Sequence, residues 1–148
     1  MWLILIIIGI CVGLFLLVKR ASDSPDVPLE NTSFPKNNKL YAFEIVGEQA
    51  YQHNLQRIAG EKEEEAKFVE VIAKVSSDPL NKYDKNAIKV EINGLLVGFI
   101  SKEQAKTLTG KIISKSVPAV IVGGWLDDDS EGSYGVKLSI VNLNELVD

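Results

Sequence analysis

Asp78–Ile100 reads D-P-L-N-K-Y-D-K-N-A-I-K-V-E-I-N-G-L-L-V-G-F-I, and this stretch decides the fold. Within it, Ile88, Val90 and Ile92 alternate with Lys89 and Glu91, so Asn86–Ile92 has the period of two expected of a strand with one buried face. Asn93-Gly94 follows. Both central residues of a two-residue hairpin turn need positive φ, and Asn-Gly supplies this at low steric cost. Leu95–Ile100 is then the returning strand. Beyond it, Ser101-Lys102-Glu103-Gln104 forms a capping box, in which the serine oxygen accepts from the first-turn amides and Gln104 reaches back. The short helix that it opens buries Ala105 and Leu108 and stops at Gly110. The segment is a β-hairpin tied off by a helical turn.

The same periods extend outward. Upstream, Leu40–Val46 is a strand candidate closed by Gly47, and Gln49–Ala59 places Ala50, Leu55, Ile58 and Ala59 at helical spacing. Glu61-Lys62-Glu63-Glu64-Glu65 is a solvated loop. Phe68–Val75 is a strand rich in Val and Ile, stopped by Ser76-Ser77-Asp78-Pro79. Downstream, Val117–Val122 and Val136–Val141 are strands on either side of an acidic loop, Gly123–Ser133. Six short strands and two short helices make a mainly β domain of the α+β class. A small closed or partly closed six-stranded barrel is expected, because closure removes exposed strand edges. There is no internal repeat.

The chain ahead of this body is a different material. Trp2–Val18 reads W-L-I-L-I-I-I-G-I-C-V-G-L-F-L-L-V, without a single charged or amide side chain. As a helix it covers about 26 Å, enough for a short bilayer span. Only Met1 precedes it, so the basic leading segment of a cleavable signal is missing. Residues 1–20 therefore read as one N-terminal transmembrane helix with a basic flank, contacting the lipid bilayer through residues 2–18. Lys19-Arg20 orient it with the N-terminus outside and the body cytoplasmic. Residues 21–39, with three prolines among Ser, Asn and Asp, read as a flexible linker. Residues 40–148 are the folded domain.

Composition limits the chemistry. Lys and Arg total 16 against 20 Asp and Glu, and 12 of those basic and 17 of those acidic residues fall in the body. Such a body cannot coat duplex DNA by bulk charge and is left with local sites. One Cys and one His exclude an internal disulfide and a zinc site, and no cofactor is implied. No phosphate loop, dinucleotide fingerprint or nucleophile elbow occurs. His53 reads as a polar residue of the first helix. Asp127-Asp128-Asp129 lacks the spacing of a calcium loop and reads as a solvated turn. The sequence gives no argument for an enzyme.

The quoted stretch, continued by S-K-E-Q-A-K-T-L, resembles the HIRAN domain, a module at the front of certain helicase-like DNA repair factors that also occurs as free-standing bacterial and phage proteins. The resemblance lies in Pro79, then Asn81-Lys82-Tyr83-Asp84-Lys85-Asn86-Ala87-Ile88-Lys89-Val90, the Asn93-Gly94 turn, Val97-Gly98-Phe99-Ile100, and Ala105 to Leu108. Phe43–Gly47 resembles the family's first strand, and Gly135–Leu138 its last. The resemblance implies a small OB-like β-barrel that recognises single-stranded DNA by a free 3′ end. On the matching positions it implies stacking on Tyr83, hydroxyl capture by Asp84 beside Asn81, and backbone contacts from Lys82 or Lys85. At Gly47-Glu48-Gln49-Ala50-Tyr51 the chain departs from the basic and aromatic cluster of the DNA-binding members. There Tyr51 is the one candidate second stacking platform, and Glu48 places a negative charge. Trp125 or Tyr134 could supply a late aromatic. The alternative is a protein–protein interaction module that keeps the barrel without the DNA surface.

Overall fold

The hairpin forms as its sequence dictates: Ile88–Ile92 and Leu95–Phe99 pair antiparallel across Asn93 and Gly94, whose φ angles are 51° and 75°. The computed structural model describes residues 40–147. The apolar run Trp2–Val18, the linker and the orientation drawn from Lys19-Arg20 lie outside the described residues. Among the described residues no helix is long and apolar enough to cross a membrane.

Six strands follow in chain order: β1 (Phe43–Glu44), β2 (Lys67–Ser77), β3 (Ile88–Ile92), β4 (Leu95–Phe99), β5 (Ser114–Gly123) and β6 (Tyr134–Leu138). A 3-10 turn (Glu48–Tyr51) leads into α1 (Gln52–Ala59), α2 (Lys102–Lys106) follows β4, and a 3-10 turn (Leu143–Leu146) ends the fold. The strands form one antiparallel sheet in the order β1-β6-β5-β2-β3-β4, curled into a half-barrel. Its backbone is the β2–β5 ladder, paired from Lys67↔Gly123 to Ser76↔Ser114. Ten pairs at about 3.3 Å per residue separate its two ends by roughly 30 Å.

The two edge strands approach each other at one point. Just past β1, Val46 and Phe99 exchange both backbone hydrogen bonds, each 2.8 Å. The chain thus leaves β6 after Glu44 and reaches β4 by Val46, and this change of partner limits β1 to two residues where the sequence predicts seven. β2 and β5 run longer than their apolar cores predict, since backbone ladder bonds continue through the polar ends Lys67, Ser76-Ser77 and Ser114–Ser116. β3 begins at Ile88, because Asn86 and Ala87 remain in the preceding turn.

Alternation delivers one face of each strand to the core. Ala73 and Val75 of β2, Val90 and Ile92 of β3, Val97 of β4, Ala119 and Ile121 of β5, and Val136 and Leu138 of β6 are buried together. Leu55 of α1 and Ala105 of α2 close the two sides, joined by Ile45, Ile100 and Leu108. Each fully buried aliphatic side chain contributes about 1.5–3 kcal/mol relative to exposure. Ser101 caps α2 by accepting from the Gln104 amide, as predicted, but the Gln104 side chain accepts from the Ser101 hydroxyl instead of reaching the backbone. The reciprocal capping box appears instead at Asn142 and Glu145.

Candidate functional site

The turn between β2 and β3 is held from within. The Asp78 amide closes it by donating to the Ala87 carbonyl at 2.8 Å. Inside it, Asn81 Oδ1 accepts from the amides of Tyr83 (3.0 Å) and Asp84 (3.1 Å), while Asn81 Nδ2 donates to Asp78 Oδ2 at 3.1 Å. Asp84 Oδ1 in turn accepts from the Asn86 amide at 2.9 Å. Asn and Asp side chains mimic backbone turns in this way, which is why this composition makes a fixed loop. Two consequences follow for the side chains. Tyr83 is thrown outward, 94% exposed. Asp84 keeps Oδ2 without a hydrogen-bond partner among the described residues.

The turn forms one wall of a groove of about 340 Å³, lined by Asn81, Tyr83, Asp84 and Ala87. The facing wall is the seam: Val46, Tyr51, Phe99 and Ile100, with Lys102 and Ala105 from α2. Gly47, at φ 83°, turns the chain out of the seam into the 3-10 helix that carries Tyr51. Tyr51 then lies against Phe99, ring centroids 6.2 Å apart at 54°. Four of the six residues singled out from sequence, Tyr51, Asn81, Tyr83 and Asp84, thus share one groove. Lys82 is exposed outside it, and Lys85 lines a neighbouring cavity.

The structure adds two residues that sequence reasoning missed. Phe99 was readable only as a strand residue. A bulge brings it to the groove: Val90 faces Gly98 but Glu91 faces Leu96, so Val97 is inserted in β4. Lys102 was readable only as the first residue of a capped helix. It supplies an ammonium where Lys82 and Lys85 do not, and it has no ion-pair partner among the described residues. Glu48 does not line the groove, nor does either acidic loop. The late aromatics lie elsewhere. Tyr134 is buried with its hydroxyl donating to Gly60 O at 2.6 Å, and Trp125 Nε1 donates to Ser130 Oγ at 3.1 Å. Lys89 is held by Glu91 at 2.9 Å, a hydrogen bond and charge pair that raise its pKa above the ordinary lysine value.

Charge is sorted along the β2–β5 ladder. At the Ser76–Ser114 end, residues 74–87 and 101–116 hold seven lysines against Asp78, Asp84 and Glu103. At the Lys67–Gly123 end, residues 60–67 and 124–133 hold two lysines against eight carboxylates. The groove sits at the basic end. The acidic end is a set of closed turns, with Asp127 Oδ1 accepting from the amides of Asp129 (2.9 Å) and Ser130 (2.7 Å). An aromatic wall, an open carboxylate oxygen and a free ammonium can together take a ring, a hydroxyl and an anion. No family model, curated protein or solved structure matches the chain.

Proposed function

We propose that this chain is a membrane-tethered, non-catalytic module of the HIRAN kind, whose small OB-like barrel binds single-stranded DNA by a free 3′ end. The terminal base stacks on Tyr83 with Tyr51 and Phe99 opposite, which contributes about 1–3 kcal/mol without sequence preference. The 3′ hydroxyl donates to Asp84 Oδ2, and a 3′ phosphate at the same place is repelled by that carboxylate. Lys102 pairs with the adjoining phosphate. Trp2–Val18 spans the bilayer, and residues 21–39 give the cytoplasmic domain reach from the membrane.

The single observation that carries this reading is the composition of the groove. Tyr51, Asn81, Tyr83 and Asp84 line it together with Phe99 and Lys102, and it contains no glutamate. The test is fluorescence anisotropy of the full chain in zwitterionic nanodiscs, with single strands ending in a 3′ hydroxyl or a 3′ phosphate. A preference of about ten- to a hundredfold for the hydroxyl is expected, from a charge-assisted hydrogen bond of about 1.5–3 kcal/mol. Tyr83→Ala weakens both strands. Equal, feeble binding to both at low salt sinks end recognition.

A second reading, a protein-interaction module, is favoured by the acidic end alone, whose eight carboxylates suit a basic partner. It predicts binding of a Lys/Arg-rich peptide that is lost when Asp128 and Glu64 are both neutralised and is indifferent to Tyr83→Ala.

A further inference from the structure

A second groove lies beside the first and shares Ala87 with it. It has a volume of about 600 Å³ and is built from the end of β2, the last part of the 78–87 turn and the loop from Leu108 to Ser114. Three lysines line it from these three segments: Lys74, Lys85 and Lys111. No Asp or Glu lines it. The carboxylate opposite Lys74 in register, Glu91, is bound to Lys89 at 2.9 Å, and that of Asp78, between the lining residues Ser77 and Pro79, accepts from Asn81 Nδ2 at 3.1 Å. None of the three lysines has an ion-pair partner among the described residues. Between them stand hydroxyl donors. Ser76 and Ser114 face each other across the β2–β5 ladder, and Ser77 Oγ accepts from the Ile113 amide, which leaves its proton to donate outward. Ile112, 91% exposed, forms an apolar rim.

Cations from three segments around donor hydroxyls, without a competing carboxylate, make a receptor for phosphate oxygens. We propose that this groove carries phosphates of the same strand whose 3′ end occupies the aromatic groove. The Asp78–Ala87 turn is the partition the strand crosses. The inference rests on the nucleic-acid reading above and adds to it a length requirement, since only a strand long enough to cross the partition gains from Lys74 and Lys111. It also divides the labour: the first groove reads the terminus, and the second supplies salt-dependent, sequence-independent affinity.

The test uses the full chain in zwitterionic nanodiscs and compares a trinucleotide with a dodecamer, both ending in a 3′ hydroxyl. Lys74→Gln with Lys111→Gln alters two exposed side chains and is expected to leave the thermal unfolding curve in place. The double variant loses about tenfold in dodecamer affinity near 0.1 M salt, and the slope of log K against log salt becomes shallower by about 1.4, two phosphates at about 0.7 each. Trinucleotide affinity does not change. A dodecamer indifferent to the two substitutions, while Tyr83→Ala still weakens both oligonucleotides, overturns the second groove and leaves the first standing. Failure of both oligonucleotides to bind the unaltered chain overturns the two readings together. Acetylation footprinting supplies the remaining arm. Shielding of Lys74 and Lys111 by the dodecamer supports the proposal. Shielding only in nanodiscs containing phosphatidylserine assigns the groove to lipid headgroups and overturns it.

Discussion

Gly98→Ala probes the seam that builds the aromatic groove. A Cβ at this β4 position lies 2.7 Å from the Val46 carbonyl oxygen and 2.8 Å from Ile45 Cδ1. Neither neighbour can move freely. Ile45 is 4% exposed, and the Val46 oxygen accepts from the Phe99 amide at 2.8 Å. An ordinary carbon–oxygen approach needs about 3.3 Å or more, so the seam must open by roughly 0.6 Å. That carries both Val46–Phe99 hydrogen bonds to about 3.4 Å, past the usual limit for N–H···O. Overpacking a strand junction costs about 1–3 kcal/mol, and weakening two hydrogen bonds adds a fraction of about 0.5–1.5 kcal/mol each. The expected destabilisation is about 2–4 kcal/mol. Gly135→Ala is the control, because its Cβ meets only Val122 Cγ2 at 3.6 Å, an ordinary contact. That variant stays within about 0.5 kcal/mol of the parent or gains slightly from reduced unfolded-state entropy. Urea unfolding of the full chain in micelles, followed by circular dichroism, reads both. Equal midpoints for the two variants, or a Gly98→Ala loss below about 0.5 kcal/mol, would falsify the steric account of the seam. Val46 and Phe99 wall the groove, so the folded fraction of Gly98→Ala should also bind ligand more weakly.

Three further outcomes follow from the local geometry. Asn81→Ala removes the acceptor for the Tyr83 and Asp84 amides and the donor to Asp78, so those two amides exchange faster with solvent and stability falls by about 1–2 kcal/mol; unchanged exchange would mean the turn is held by other contacts. Backbone amides of Asp129 and Ser130 hold the Asp127 pKa below the ordinary carboxylate value, so the turn's stabilisation is present above that ordinary value and is lost as pH falls through the lowered one. Trp125 fluorescence in a Trp2→Phe background reports this opening, and a midpoint at or above the ordinary Asp value would contradict it. Burial first, then the hydrogen bond to Glu70 at 2.6 Å and that residue's charge, push the Tyr41 phenol from 10.0 up to about 12. Its contribution is complete below pH 10 and disappears as pH rises toward 12, so one of the four tyrosines should ionise late in an ultraviolet titration, and earlier after Glu70→Gln.

Sequence reading was strongest where one local rule acts alone. The Ile88–Ile92 alternation, the Asn93-Gly94 turn and the Ser101 cap each follow from the conformational needs of a few neighbouring residues, and each appears in place. It failed where a distant segment decides. Leu40–Val46 has a strand's pattern, but whether it pairs with β6 or β4 depends on how the sheet curls, and the chain divides itself between them. At the other end, Val141 leaves the predicted strand because its amide donates to the Glu145 side chain at 2.7 Å. The site divides in the same way. Asn81, Tyr83 and Asp84 were legible because turn formers announce themselves. Phe99 and Lys102 were not, because the first depends on a bulge and the second on where α2 docks.

Net charge is the quantity that misleads most. The body carries 12 basic against 17 acidic residues, which by itself argues against attracting a polyanion by overall charge. An antiparallel ladder undoes that inference. Because β2 and β5 run in opposite directions, the segments after β2 and before β5 meet at one end, and those before β2 and after β5 meet at the other. The first pair is rich in lysine and the second in carboxylates. With the ends separated by roughly 30 Å, several Debye lengths at physiological ionic strength, each end presents its own field to an approaching ligand. Attraction or repulsion is then set by the end that the ligand meets more than by the average over the domain.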